Sequence, residues 1–264
     1  MNILETIVAQ KRKEVAEKKA TTNIDSLKSM NNGFDRKPIS LKQKLLSNTA
    51  NIIAEFKRKS PSKGWLNEHI NVSEVLPEYE AHGAAAVSLL TDKEFFGGDI
   101  EELKIARLEI NIPLLRKDFM VDEFQLYEAK AYGADVILLI AACLSKQQAK
   151  QLAKKAKELQ LEVLLEIHSE EELDFICDEV DIIGINNRNL ETFITDVQTS
   201  ADLIKLLPSN KPAISESGIT DVDTIINLHN LGFKGFLIGE AFMKAHKPAI
   251  AFADFMKQLK AKIK

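Results

Sequence analysis

Hydrophobic residues in this chain gather into eight short runs, and each run stops at a charged residue, a polar residue or a glycine. The runs are Ile52 to Phe56 before Lys57, Ala85 to Leu90 before Thr91, Ile112 to Leu115 before Arg116 and Lys117, and Val136 to Ala142. They continue with Val163 to Leu165 before Glu166, Ile182 to Ile185 before Asn186, Ala213 to Ile214 before Glu216 and Ser217, and Phe236 to Ile238 before Gly239. Runs that are continuous rather than alternating suit strands buried on both faces, and such strands belong to parallel sheets covered by helices. Between them lie helical stretches. Leu152, Ala153, Ala156 and Leu159 share one stripe, opposite Lys150, Lys154 and Lys157. Ser145 with Gln148 and Ser169 with Glu172 have capping-box spacing, and Asp99 with Glu102 and Thr220 with Asp223 are looser start signals. Gly83, Gly133 and Gly232 sit where a helix must end before the next strand. Pro77 is expected in the first turn of a helix beginning near Leu76, where a missing amide is harmless.

Eight strand–helix units in succession predict an α/β fold of the (β/α)8 TIM-barrel type. Its usual length of about 250 residues is close to the 264 here. The excess is at the front. Residues 1–46 read as a helical extension of a single domain spanning 1–264, with Ile3, Leu4, Ile7 and Val8 forming an apolar stripe that something must cover. A lid over the barrel mouth and a docking surface for another protein are both open readings of it.

Composition narrows the function classes. With 45% hydrophobic and 28% charged residues the chain can bury a large core. The first helix mixes both charge signs without an apolar h-region, so neither a signal peptide nor a membrane span is expected, and a cytoplasmic location follows. Cys143 and Cys177 have no redox or metal spacing and read as buried fillers. A net charge of -4 disfavours nucleic acid as a partner. The five histidines lack ligand spacing and no dinucleotide glycine motif follows a strand, so neither metal nor cofactor is expected. His168 reads as the start of the helix that Ser169 would cap.

Active sites of this architecture lie at the C-terminal ends of the strands, which points to Glu55, Lys57, Lys117 and Glu166. Glu55 and Lys57 are two apart, so they face the same way, and a charged pair inside an apolar strand is costly unless it serves a purpose. A structural ion pair is the alternative. After the seventh and eighth runs, Glu216-Ser217-Gly218 and Ile238-Gly239-Glu240 place glycines where backbone amides can approach an anion, as phosphate loops do. Simple turn chemistry would use the same residues.

These motifs together resemble the indole-3-glycerol-phosphate synthase family. The resemblance rests on the segment Ile53-Ala54-Glu55-Phe56-Lys57-Arg58-Lys59-Ser60-Pro61-Ser62-Lys63-Gly64 and on Leu90-Thr91-Asp92 with Phe95-Phe96-Gly97-Gly98. Leu115-Arg116-Lys117-Asp118-Phe119, Gly184-Ile185-Asn186-Asn187-Arg188-Asn189-Leu190 and Ser215-Glu216-Ser217-Gly218-Ile219 extend it. It implies an enzyme of tryptophan biosynthesis, a lyase that closes a ring and releases carbon dioxide and water from a small phosphosugar substrate, with a monomer expected. It implies Lys117 as general acid, Glu166 as base, Lys57 on the substrate carboxylate or as a second acid, and Glu55 orienting it; the two lysines are interchangeable at this level. Asn186 and Arg188 would position the anthranilate portion, Phe95 and Phe119 would wall the benzene ring, and Ser60, Gly218, Gly239 and the amide of Glu240 would cradle the phosphate beside Glu216 and Ser217. Asp99 departs from the family's usual serine. Two rival readings share the glycine loops: a phosphoribosylanthranilate isomerase, which would need Cys and Asp in place of the Glu-x-Lys pair, and a non-catalytic phosphosugar-binding barrel, which would lack the lysines and Glu166.

Overall fold

All eight apolar runs form strands: β1 (Asn51–Phe56), β2 (Ala86–Leu90), β3 (Leu114–Lys117), β4 (Val136–Ile140), β5 (Glu162–Ile167), β6 (Ile182–Asn186), β7 (Ala213–Glu216) and β8 (Gly235–Ile238). The structure, a computed structural model, describes residues 2–30, 33–47, 49–190 and 192–263. Every strand pairs in parallel with its sequence neighbours, and β8 returns to β1 through Ile53↔Leu237, which closes the barrel. Two-sided burial explains the continuous apolar runs. Ile53, Ala86, Leu115, Leu164, Ile182, Ile214 and Leu237 fill the interior, while Ile52, Val87, Leu114, Leu165, Ile183 and Phe236 pack outward under the helices. Ile112 lies before β3, and Ala141–Cys143 turns into a short 3-10 helix instead of extending β4.

The extension does more than cover the mouth. Its first helix, Ile3–Thr21, is started by an Asn2–Glu5 capping box, and Ile7 joins the barrel interior from the active end. Leu41 and Leu45, on the helix Leu41–Leu45, are fully buried in that same interior. They enter from the opposite end: Ser40 hydrogen-bonds Glu162, the first residue of β5, and the Lys42 amide donates to it at 3.0 Å. Val15 and Leu27 pack on Phe124 and Ala131 along the side. One segment therefore runs from the mouth, down the flank, to a plug at the base.

Several local expectations change. Pro77 lies in the interior of Val72–Ala81, a helix capped by Asn71. The buried row Val72, Val75, Leu76 and Tyr79 holds that helix against the barrel despite the missing amide. Ser145 and Gln148 do form their capping box. Ser169 makes no cap bond, and Glu170–Phe175 is a 3-10 helix, because Glu172 turns back to the amide of His168. The cap before Val222–Asn230 is Asp221 bonding Thr224, one residue beyond the Thr220–Asp223 reading. Asp99 caps locally through the Glu101 amide, whereas Glu102 pairs with Arg58. Gly83, Gly133 and Gly232 have positive φ, as helix C-caps require. Cys143 and Cys177 are free but half-buried.

Candidate active site

Period-two alternation aims alternate residues of each strand at the barrel axis, so the residue two beyond a buried interior side chain stands above it at the mouth. Ile53 is followed by Glu55, Leu115 by Lys117, Leu164 by Glu166, and Ile214 by Glu216. Arg116, next to Lys117, points the other way into a buried network with Asp118 at 3.0 Å and Glu128 at 3.3 Å. Adjacent cations on β3 thus serve different ends: one braces the shell, the other enters the site.

Lys117 is the centre of the cluster. Its Nζ lies 2.9 Å from Glu166 Oε2 and also contacts Glu216 Oε2. Asn186 Nδ2 donates to Glu166 Oε1 at 3.0 Å. Beside them Lys57 Nζ lies 2.7 Å from Glu55 Oε1. Burial works against a charged Lys117, but Glu166, Glu216 and Glu55 outweigh it and hold the ammonium well above the ordinary lysine range. Burial likewise pushes Glu166 up, yet Lys117 and His168 prevail and keep its carboxylate well below the usual range. Glu216 goes the other way. Burial lifts it to about 7, with the charge on Glu166 adding to the rise and Lys117 opposing it. Two carboxylates facing one ammonium are thus driven apart, the pattern that separates acid and base duties.

Above this floor is a cavity of about 500 Å³. Glu55, Lys57, Lys117, Glu166, Asn186 and Glu216 line it, together with Ser60, Phe119, Arg188, Ser217, Gly218, Gly239 and Glu240. Phe95 does not; its neighbour Phe96 does, since the short helix Lys93–Phe96 turns Phe96 to the mouth, 6.0 Å from the Phe119 ring. Ile3, Leu4 and Ile7 roof the opening, which accounts for the apolar stripe. Arg188 spans two loops, 3.4 Å from Ser62 Oγ and 3.4 Å from Glu240 Oε2. Ser60 is buried, and its Oγ has no hydrogen-bond partner among the described residues. Gly218 has φ of 73°, a conformation that suits an anion loop. Gly239 is confined differently: a Cβ there would sit 2.6 Å from Glu55 Oε1.

Some of these placements escape a reading of the chain. Glu216 belongs with Lys117 and not with the anion loop, because it is the last inward residue of β7. Lys63 and Lys244 bring two further cations to the cavity; Lys63 stands inside the first-strand motif, whereas Lys244 carries no signal beyond its distance from Gly239. His168 does not start a capped helix. Its Nε2 lies 3.3 Å from Glu166 Oε1, and its spacing of two from Glu166 was the available clue.

Interior lysines and carboxylates at the C-terminal rim of a closed eight-stranded barrel define an acid–base enzyme with a site for a small anionic substrate. Its relatives agree. The profile of the family described as indole-3-glycerol phosphate synthase matches residues 4–255. The chain is 48% identical over 260 residues to the indole-3-glycerol phosphate synthase of Bacteroides thetaiotaomicron, covering 98% of this chain and 99% of the relative. It is 42% identical over 253 residues to that of Burkholderia cenocepacia, covering 94% and 96%. Among solved structures, a chain of the tryptophan synthase complex from Pyrococcus furiosus superposes with a TM-score of 0.61 at 16% identity, over 81% of this chain and 98% of that one, a likeness of fold alone. The chain belongs to the indole-3-glycerol phosphate synthase family. Among the described residues no helix is long and apolar enough to cross a membrane.

Proposed function

We propose that this cavity converts 1-(2-carboxyphenylamino)-1-deoxyribulose 5-phosphate to indole-3-glycerol phosphate, carbon dioxide and water, with Lys117 as the acid of ring closure. The observation that carries the assignment is the position of Lys117 between Glu166 and Glu216 on the cavity floor. In the first step the ring carbon bearing the carboxylate attacks the ketone carbon, and the carbonyl oxygen takes a proton from Lys117. Loss of carbon dioxide returns the electron pair of the broken bond to the ring. The new hydroxyl then leaves as water with a lysine proton, and Glu166 removes the proton from the neighbouring carbon beside nitrogen, which forms the indole double bond.

A lysine held so firmly in its charged form is a reluctant acid, and Glu216 eases this. Its carboxyl, raised by burial, takes up a proton more readily than an ordinary glutamate, and so removes one of the charges that stabilise the ammonium. Lys57, steadied by Glu55, meets the substrate carboxylate and is the second acid at dehydration. Asn186 fixes Glu166. Phe96 and Phe119 wall the benzene ring, so Phe96 takes the place expected of Phe95. The unpartnered hydroxyl of Ser60 and the amides at Gly218, Gly239 and Glu240 cradle the phosphate, with Ser217, Lys63 and Lys244 near it and Arg188 tying the first loop to the last. The alternative of a binding-only barrel is disfavoured by the paired lysines and carboxylates, which binding does not need. The site as assigned needs no second subunit, in keeping with the expected monomer, and a phosphorylated small-molecule substrate is in keeping with the cytoplasm.

Incubating the purified chain with the carboxyphenylamino substrate, without added metal or nucleotide, should generate indole fluorescence. Absence of turnover in the folded protein, or equal turnover in Lys117→Ala, refutes the proposal.

A further inference from the structure

One residue past the end of β5, two beyond Glu166, comes His168, whose side chain is 13% exposed. Its ring stands between two carboxylates. Nε2 is 3.3 Å from Glu166 Oε1, an ionic contact without hydrogen-bond alignment, and Nδ1 is within hydrogen-bond reach of Glu172 Oε2 at 3.3 Å. Glu172 is itself held, since its Oε2 accepts the backbone N–H of His168 at 2.6 Å. Behind the ring is a second cavity of about 450 Å³, lined on other sides by Glu5 and Asn2 of the first helix, Cys143 after β4, and Asn189. Cys143 is a neutral thiol there, pushed up by burial and by the charges of Glu166 and Glu172. Among the residues lining this cavity His168 is the one basic side chain.

The arrangement bears on the catalytic cycle. Glu166 receives Lys117 on one oxygen and Asn186 on the other. When Lys117 gives its proton to the substrate its charge is gone, and Asn186 is neutral. A fully buried carboxylate in that condition is drawn toward protonation. We infer that His168, braced by Glu172, is a positioning residue for Glu166, keeping the base ionised and aimed at the reacting carbon after Lys117 has given up its proton. The inference rests on Glu166 being the base. Burial lowers the basicity of His168, but Glu166 and Glu172 outweigh this and raise it to about 9. The ring is therefore charged through neutral pH and loses its charge as the pH climbs past about 9.

The test compares His168→Gln, Glu172→Gln and Glu166→Gln with the parent enzyme, following kcat and KM from pH 6 to pH 10 on variants with intact circular dichroism. His168→Gln should lower kcat roughly tenfold or more, as expected of a group that supports a catalytic one, with KM changed less than about threefold. The parent should lose kcat along a basic limb near pH 9, and this limb should be missing from His168→Gln. Glu172→Gln should keep most of the activity but move the limb to lower pH, since a negative neighbour of His168 is gone. Parent-like kcat in His168→Gln, or a basic limb unmoved in both His168→Gln and Glu172→Gln, overturns the inference. Full turnover in Glu166→Gln instead overturns the assignment of the base. If His168→Gln fails to fold, an unmoved limb in Glu172→Gln still decides against it.

Discussion

Replacing Lys11 by methionine should reveal how tightly the first helix is locked to the reacting end of the barrel. Lys11 Nζ lies 2.8 Å from Asp92 Oδ2 and 3.0 Å from Asp118 Oδ1, and all three side chains are at most 5% exposed. Removing one member of a buried charged cluster costs about 3–5 kcal/mol, because the partner is left uncompensated. Asp118 is buffered, with Arg116 at 3.0 Å and the Thr91 hydroxyl at 2.6 Å. Among the described residues, the Asp92 carboxylate keeps only the backbone amide of Phe95, which donates to its Oδ1 at 2.8 Å. The loss should therefore fall near the lower end, about 3 kcal/mol at pH 8, or roughly 6–12 °C in Tm for a chain of this size.

The sign of the pH dependence follows from Asp92. Burial already raises it despite Lys11, and without Lys11 it rises further above its unfolded value. A carboxyl raised on folding binds its proton better in the native state, so the stability of the variant falls as pH rises from about 4 through that raised value. The gap between Lys11→Met and the parent should be widest at pH 8 and narrow at pH 5. Because Asp92 caps the helix carrying Phe96, KM should rise as well. Thermal melts and kinetics at the two pH values measure both effects. A Tm within about 2 °C of the parent at both would show that the cluster contributes nothing net.

Lys117→Ala should lower kcat by about 100-fold or more while substrate affinity stays within roughly tenfold, as for an acid acting on charge that develops in the transition state; more than a tenth of parental turnover is incompatible with that role. Gly239→Ala should reduce turnover as well as phosphate affinity, because the new Cβ would strike Glu55 Oε1 at 2.6 Å. Loss confined to affinity, measured with phosphorylated and dephosphorylated analogues, would separate the loop from Glu55. Deleting residues 2–40 should leave a cooperative melt, since the plug of Leu41 and Leu45 remains. The melt should come at lower temperature and with raised KM, because Lys11 leaves Asp92 and Arg36 leaves Asp135, its partner at 2.7 Å. Unchanged KM would remove the first helix from the substrate mouth.

The architecture and most of the site were legible in the chain because both follow local rules. A two-sided apolar run is a barrel strand, and counting two residues beyond its last interior side chain finds Glu55, Lys117 and Glu166 without coordinates. What lay outside that count needed distances between segments remote in sequence. Phe96 rather than Phe95 faces the cavity because a one-turn helix sets its own rotation, and Pro77 sits mid-helix because packing of Leu76 and Tyr79 outweighs backbone preference. Glu216 left the phosphate loop for Lys117 across 99 residues of chain. Lys11, which no local pattern marks out on the first helix, is buried against Asp92 and Asp118, just past the ends of β2 and β3. His168 passed for a helix start until Glu172 folded back onto it. Charge on a residue can be read from its letter, but its desolvation, and hence its proton affinity, depends on which other side chains close around it, and that is settled only when the barrel shuts.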